Sequence, residues 1–303
     1  MDTTIVEVTR RAIGPVGVVL PVSLITAPPI ELQRESVRRL EAAGYRSAWT
    51  NEVIGKDAFT QLSVLLAATE RMAFGTSITN IWAREPQTAR AAAALLAQAY
   101  PGRFVLGLGV GYPAQAAAVG REFGRPLTTM REYYTRMDEP TWPPATEARY
   151  PRIIAANGPK MLDLAGEIAD GALPAGLPPE YTTEARKVLG PDRLLVTGVT
   201  VIPDTDRDRA RAIARDSLSA NMSHPPFAAT IARLGYTGDP AAVGDRLIDA
   251  IYGYGDAHAI VAKVREHLAA GADHVMLMLP INDDFATGVE KFVRLAPALT
   301  EIG

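Results

Sequence analysis

The fold class this sequence predicts is α/β, a (β/α)8 TIM barrel, and three observations predict it. Short apolar runs alternate with longer stretches of helical periodicity along the chain. The 303 residues show no linker, repeat or low-complexity stretch that would divide them, and α/β barrels reach this length as one domain. One run, Gly107-Leu108-Gly109-Val110-Gly111, places three glycines on one face of a strand. Alternation alone also allows an open doubly wound sheet. Glycines facing inward favour the barrel, because they would open space at the C-terminal mouth, where barrel ligands bind. The expectation is a single domain over residues 1–303 with a helical insertion before the last strand.

The first strand is expected over residues 17–21, followed by a helix over 29–43 with Ile30, Leu32, Val37 and Leu40 on its apolar side and a stop at Gly44. A strand over 47–52 and a helix over 59–69 follow. Strand three covers 72–80 and leads to an alanine-rich helix over 86–100, with proline near its start, where a missing N–H removes no helical bond. After the turn at Pro101-Gly102, strand four puts Phe104, Leu106, Leu108 and Val110 on one face and Val105, Gly107, Gly109 and Gly111 on the other. A strand glycine costs roughly 0.5–1 kcal/mol, so three in register imply that a ligand or a neighbouring element must approach that backbone closely. A helix over 128–137 and a strand over 152–156 come next. Asn157 is the cap candidate for a helix that begins at Pro159 and ends near Ala169. A weak strand over 171–174, a helix over 180–189 and a strong strand over 194–202 continue the alternation. Asp204-Thr205-Asp206 caps a helix through Leu218. Helical pieces over 227–234, 240–251 and 257–270 form the insertion, before a strand over 274–280 and a helix over 285–297.

Composition narrows the chemistry. With 48% hydrophobic and 21% charged residues and a net charge of -3, the chain lacks the basic surface that nucleic acid or an anionic membrane would attract. The absence of cysteine removes disulfides, thiolate metal sites and a thiol nucleophile. The first eleven residues are polar and acidic, with no apolar core of signal length, and no run approaches a membrane span; the expected location is the cytoplasm. The four histidines, His224, His258, His267 and His274, show no metal-ligand spacing, so no metal is expected and each reads as structural or surface.

Local motifs name candidates and leave alternatives open. The glycine run is not the dinucleotide fingerprint, since its third glycine comes too early and lies within a strand, and there is no P-loop. Strand three ends in Ser77, Ile78, Thr79 and Asn80, whose hydroxyls and amide could bond a heteroaromatic ring edge, with Trp82 as an apolar wall. An ordinary polar strand end reads the same way. Glu52 closes strand two, as an acid, a base or a solvated loop residue. Asn157-Gly158-Pro159-Lys160-Met161 brings helix-start N–H groups beside a lysine, a ready anion site.

Taken together, the run Gly75-Thr76-Ser77-Ile78-Thr79-Asn80-Ile81-Trp82-Ala83-Arg84, the run Pro101 to Gly111, the stretch Gly158-Pro159-Lys160-Met161 through Ala169-Asp170-Gly171, and Ala270-Gly271-Ala272-Asp273-His274-Val275 resemble the luciferase-like monooxygenase superfamily. The likeness is to the branch that uses the deazaflavin coenzyme F420. It implies a barrel mouth that holds F420, a homodimer, and hydride transfer to or from a small organic substrate. It further implies a non-proline cis peptide at Ser77–Ile78 behind the central ring, Glu52 beside that ring, the segment from Gly109 through Gly111 to Tyr112 beneath its tail, and Gly158, Pro159, Lys160 and Met161 near its phosphate-bearing side chain. Thr79 and Asn80 complete the cofactor set.

Two departures qualify the likeness. Val53 stands where several deazaflavin dehydrogenases carry histidine, and Tyr112 where sugar-phosphate members carry glutamate. Sugar-phosphate oxidation is therefore not expected, and the proton donor is Glu52, Tyr112 or water. The alternatives are an FMN-dependent monooxygenase on the same barrel and a flavin- or deazaflavin-binding protein without turnover. Phe123, Trp142, Met222 and Phe227, in segments expected to roof the mouth, point to an apolar substrate or to ordinary packing.

Overall fold

A computed structural model describes residues 3–23, 25–239, 242–281 and 283–302. The strands are β1 (Val16–Val19), β2 (Ser47–Thr50), β3 (Ala73–Thr76), β4 (Thr79–Asn80), β5 (Phe104–Gly109), β6 (Arg152–Ala155), β7 (Gly171–Leu173), β8 (Leu194–Ile202), β9 (Gly253–Tyr254) and β10 (His274–Met278). All named pairings are parallel, and β10 bonds both β8 and β1, so the sheet closes. Counting β3 and β4 as one interrupted stave and leaving β9 outside the ring, the barrel has the eight strands its alternation predicts.

Strand alternation sorts the apolar residues into two cores. Phe104, Leu106 and Leu108 join the layer between strands and helices, whereas Val105 faces inward with Trp49, Ile153, Val196 and Met276. The outer layer is completed by α2 (Ile30–Ala42), α3 (Ala58–Ala67), α4 (Pro86–Ala99), α6 (Pro126–Met137), α7 (Pro159–Ile168), α8 (Pro179–Leu189), α12 (Ala257–Ala269) and α13 (Phe285–Leu299). The last of these runs through Pro297 instead of ending there.

The opening polar stretch folds instead into α1 (Ile5–Ile13), started by a capping box between Thr4 and Glu7. Its Val6 and Ile13 are buried in the inner core, so the helix closes the N-terminal end of the barrel. There Asp273 accepts ion pairs from Arg10 (2.9 Å) and Arg186 (2.7 Å) and a hydrogen bond from the Leu195 N–H (2.8 Å). His274, fully buried, meets Gly14 O through Nδ1 (2.7 Å), and its Nε2 lies 3.0 Å from Trp49 Nε1. Because an indole nitrogen can only donate, Nε2 accepts and Nδ1 carries the proton. Burial pushes the pKa of this neutral imidazole down to about 4. The structural role expected of His274 holds.

The mouth is where the structure departs from simple alternation. The expected strand over 72–80 is broken between Thr76 and Thr79. A short helix, α5 (Pro113–Ala117), follows β5. The insertion between β8 and β10 consists of α9 (Arg207–Met222), α10 (Pro225–Arg233) and α11 (Asp245–Ile251), after which β9 extends the end of β8 through Val201↔Gly253 and Ile202↔Tyr254. The helix expected over 240–251 begins at Asp245; residues 240 and 241 of that expectation lie outside the described residues.

Candidate active site

The Ser77–Ile78 peptide is cis, as the resemblance implies. The surrounding backbone is tied on both sides: Ser77 N–H donates to Thr50 O (2.7 Å), and Glu52 N–H donates to Ile78 O (3.0 Å). The Thr76 hydroxyl accepts from Gly107 N–H and donates to Gly107 O, both at 2.8 Å. A β-carbon on Gly107 would overlap the Thr76 carbonyl oxygen, and one on Gly109 would lie 2.7 Å from Ile78 Cγ1 and Cδ1. Gly107 and Gly109 do face inward, but the space they leave is filled by the bulged third stave. The expectation that they open the mouth directly is thus corrected, for a physical reason: the irregular backbone from Thr76 to Ile78 needs room, and only glycines across from it give that room. Gly111 lies past the strand end with φ 55°, where a β-carbon would overlap Gln115 Oε1, the acceptor for Tyr112 N–H (2.9 Å). Its requirement is set by the turn into α5.

Glu52 is 3% exposed. Its carboxylate accepts from Ala58 N–H (3.2 Å) and Asn80 N–H (3.0 Å) and pairs with Arg84, which also holds Asp57 (2.9 Å) and lies over the Phe59 ring (4.5 Å). Burial lifts the carboxyl above its usual range, against the opposing pull of Arg84 and those two N–H groups. Both oxygens are committed within the protein. Glu52 therefore fastens β2, the start of α3 and the segment Ile78–Asn80 together, which is a positioning task. Arg84, its counter-ion, has no role assigned by the sequence alone; nothing local marks it, because the pair joins residues 32 apart.

Thr79 and Asn80 are fully buried, and among the described residues Thr79 Oγ1 and Asn80 Nδ2 have no hydrogen-bond partner. Asn80 Oδ1 is used, accepting from Trp82 N–H (3.0 Å), and Trp82 Nε1 donates to Val110 O (2.7 Å). A buried polar group left unpaired costs about 1–3 kcal/mol, and each such group asks for an explanation such as a ligand. Both stand on β4 at the C-terminal edge of the barrel but on opposite faces, Thr79 in register with outward Leu108 and Asn80 with inward Gly109. Asn80 Nδ2 is thus the unpaired donor on the inner side, and a ring edge with an acceptor atom suits it, so this residue fits a flavin-like group.

On the neighbouring side, Gly158 is the residue before α7 and Pro159 its first position, with Pro159 and Lys160 exposed and Met161 packed on the core. Asn157 does not cap this helix. Its side chain instead exchanges two bonds with Ala175 (Nδ2 to O, 3.1 Å; Oδ1 from N–H, 2.9 Å), locking the loops after β6 and β7 to each other. The start of α7 thus lacks a side-chain cap among the described residues; Pro159 has no N–H and Met161 N–H donates to Gly158 O (3.2 Å), so the Lys160 N–H, beside its own ammonium, is the first-turn donor left for an anion.

Tyr112 stands at the other flank, half exposed, and its ring stacks on His224 with centroids 4.3 Å apart and planes 24° apart. Burial of the phenol raises its pKa above the usual range. In the sequence alone His224 reads, like the other histidines, as structural or surface. No spacing links positions so far apart in the chain; only the folded insertion brings them together.

Residues 15–274 match the family model of luciferase-like monooxygenases. The chain belongs to that family. Among its relatives is a Mycobacterium tuberculosis protein assigned by its name to the coenzyme F420-dependent oxidoreductases, 31% identical over 62% of this chain and 66% of its own length. A 5,10-methylenetetrahydromethanopterin reductase of Methanolobus tindarius is 27% identical over 50% of this chain and 52% of its own length. The chain thus spans about half to just under two thirds of these relatives. The homologous reductase of Archaeoglobus fulgidus is 24% identical over 82% of this chain and 89% of its own length. Two solved structures share the luciferase-like fold: an F420-dependent secondary alcohol dehydrogenase (TM-score 0.73, 18% identity, 94% of this chain and 98% of that one) and the F420-dependent tetrahydromethanopterin reductase of Methanopyrus kandleri (TM-score 0.70, 22% identity, 93% and 97%).

Proposed function

We propose that this protein is an F420-dependent oxidoreductase acting on a small organic substrate at the C-terminal mouth of the barrel. The observation that carries the reading is the buried Asn80 amide on the inner face, whose Nδ2 has no hydrogen-bond partner among the described residues, on the stave that also bears the Ser77–Ile78 bulge. The relatives that use F420 support it.

The residues that would hold the coenzyme are Asn80 at its ring edge, with Thr79 beside it on the same stave, Ser77 and Ile78 behind the ring, and Gly158 to Met161 at its anionic side chain, where exposed Lys160 supplies positive charge and its backbone N–H at the start of α7 a donor. Bound there, the coenzyme supplies hydride chemistry at C5 of its ring, while the protein supplies position and electrostatics. Glu52 keeps the third stave in register with β2, one oxygen taking Ala58 N–H and Arg84 and the other taking Asn80 N–H. Tyr112 is then the side chain that holds a proton for the substrate heteroatom: a phenol is protonated at neutral pH, the form a general acid needs, and its burial raises the pKa further above neutrality.

The test is titration of the purified protein with F420 and, separately, with FMN, followed by a panel of alcohols, ketones and imines with the oxidised or reduced coenzyme. F420 binding with turnover of a panel member is the expected result. Binding of FMN alone, or F420 binding without turnover of any substrate, overturns the reading in favour of a flavin monooxygenase or a carrier.

A further inference from the structure

Proton delivery by Tyr112 needs its ring held still, and the barrel by itself does not hold it. The residue follows Gly111 at a left-handed turn, its backbone N–H and carbonyl are both bonded to Gln115, which leaves the ring itself unfixed, and half its surface is exposed. The group that meets its ring comes from the insertion.

His224 sits at the junction of α9 and α10, and its backbone is fixed from both directions. Its N–H donates to Asn221 O (3.1 Å), and its carbonyl accepts from Phe227 (3.0 Å) and Ala228 (3.1 Å). Pro225 and Pro226 stiffen the first turn of α10. On either side of the junction Met222, Phe227 and Ile231 are buried in the outer core, so the imidazole projects from an anchored platform. Farther along, Thr230 Oγ1 lies 4.0 Å from where a β-carbon on Gly158 would stand. The helix α10 therefore passes from the start of α7, on the coenzyme's anionic side, to Tyr112, and spans the two ends of the candidate site.

We propose that His224 is the positioning residue for Tyr112: by stacking on the phenol it fixes the plane of that ring and couples the insertion to the proton donor at the mouth. The assignment of Tyr112 as donor rests on the proposed F420 chemistry, whereas the stack itself does not. Aromatic stacking of this kind favours one ring orientation over free rotation without closing the mouth permanently. The insertion then has a defined task, since it sets the acid's plane and roofs the substrate with one element.

The test uses the full chain labelled with 3-fluorotyrosine, the Tyr112 resonance being identified by its loss in Tyr112→Phe. Without any coenzyme, His224→Ala is expected to move that resonance and collapse its dispersion, whereas His224→Phe, which keeps a flat ring, retains a ring-current shift. With F420 and a turned-over substrate, His224→Ala lowers kcat about tenfold, as a misplaced catalytic group does, with KM for F420 within about twofold, and His224→Phe restores most of kcat. A Tyr112 resonance indifferent to both substitutions overturns the proposal, as does a kcat unchanged in His224→Ala. If the resonance responds but no F420 turnover is found with the parent protein, the reading of the site as an F420 oxidoreductase fails while the stack stands as a structural contact, and the positioning role is overturned.

Discussion

At the scale of single residues, the glycines of β5 and the carboxylate of Glu52 change meaning once their neighbours are known. Three glycines in register suggested a floor for a ligand; the atoms that fill their space belong to Thr76 at Gly107, Ile78 at Gly109 and Gln115 at Gly111. Gly107→Ala should therefore destabilise by about 2–3 kcal/mol, the upper part of the range for overpacking, because a backbone carbonyl cannot retreat. Gly109→Ala should cost less, since the Ile78 side chain can shift. Urea unfolding of the two variants checks the order. Glu52→Gln leaves Arg84 buried with only the more exposed Asp57 as counter-charge. Removing one partner of a buried pair costs about 3–5 kcal/mol. A loss near the lower bound is expected here, together with weaker F420 binding as the 78–80 segment loosens; unchanged unfolding with abolished turnover would instead make Glu52 a direct acid. These roles were half legible. Residue type and place along the chain were readable, but which atoms fill a face depends on a bulge in a different stave.

At the scale of elements, two connections decide how the barrel's ends are built, and neither is local. Asp273 gathers Arg10 of α1, Arg186 of α8 and the β8 backbone at the closed end. Asp273→Asn weakens charged bonds worth about 1.5–3 kcal/mol each and should lower thermal stability by several degrees with F420 affinity unaltered, because the site lies at the opposite end. A differential scan with and without coenzyme checks both halves. At the mouth, Asn157 joins the loops after β6 and β7. Asn157→Ala is expected to weaken binding of the coenzyme's anionic side chain more than it lowers stability, measured as F420 affinity against unfolding midpoint. The helices themselves were readable from periodicity and caps, as Asp206 accepting from Arg209 N–H (3.1 Å) illustrates. The helix α1 escaped because nine residues with Arg10, Arg11 and Glu7 look like a solvated tail until Val6 and Ile13 find the barrel's underside.

At the scale of the whole molecule, the fold's tolerance of acid is set by two buried histidines far from the mouth. Burial lowers the pKa of His274 to about 4 and of His267, bonded to Thr182 at 2.9 Å, to about 3, both from 6.5. The unfolded chain binds protons at these positions before the folded one does, so stability is full above pH 6.5 and falls as pH drops toward the folded values. At pH 5 each contributes a loss of about 2 kcal/mol, taking about 1.4 kcal/mol per pH unit. Melting temperature between pH 8 and 5 should show the decline, and replacing either histidine by a neutral residue should flatten it. The order of strands and helices, the absence of sulfur chemistry and the family likeness were determined by the sequence itself, because periodicity, composition and short motifs are local properties that survive without coordinates. Only the tertiary structure decided that β5's glycines accommodate a bulge, that Glu52 is spent on Arg84, and that His224 meets Tyr112. Each of those facts is a contact between segments distant in sequence, and such contacts exist only once the barrel closes and the insertion folds across its mouth.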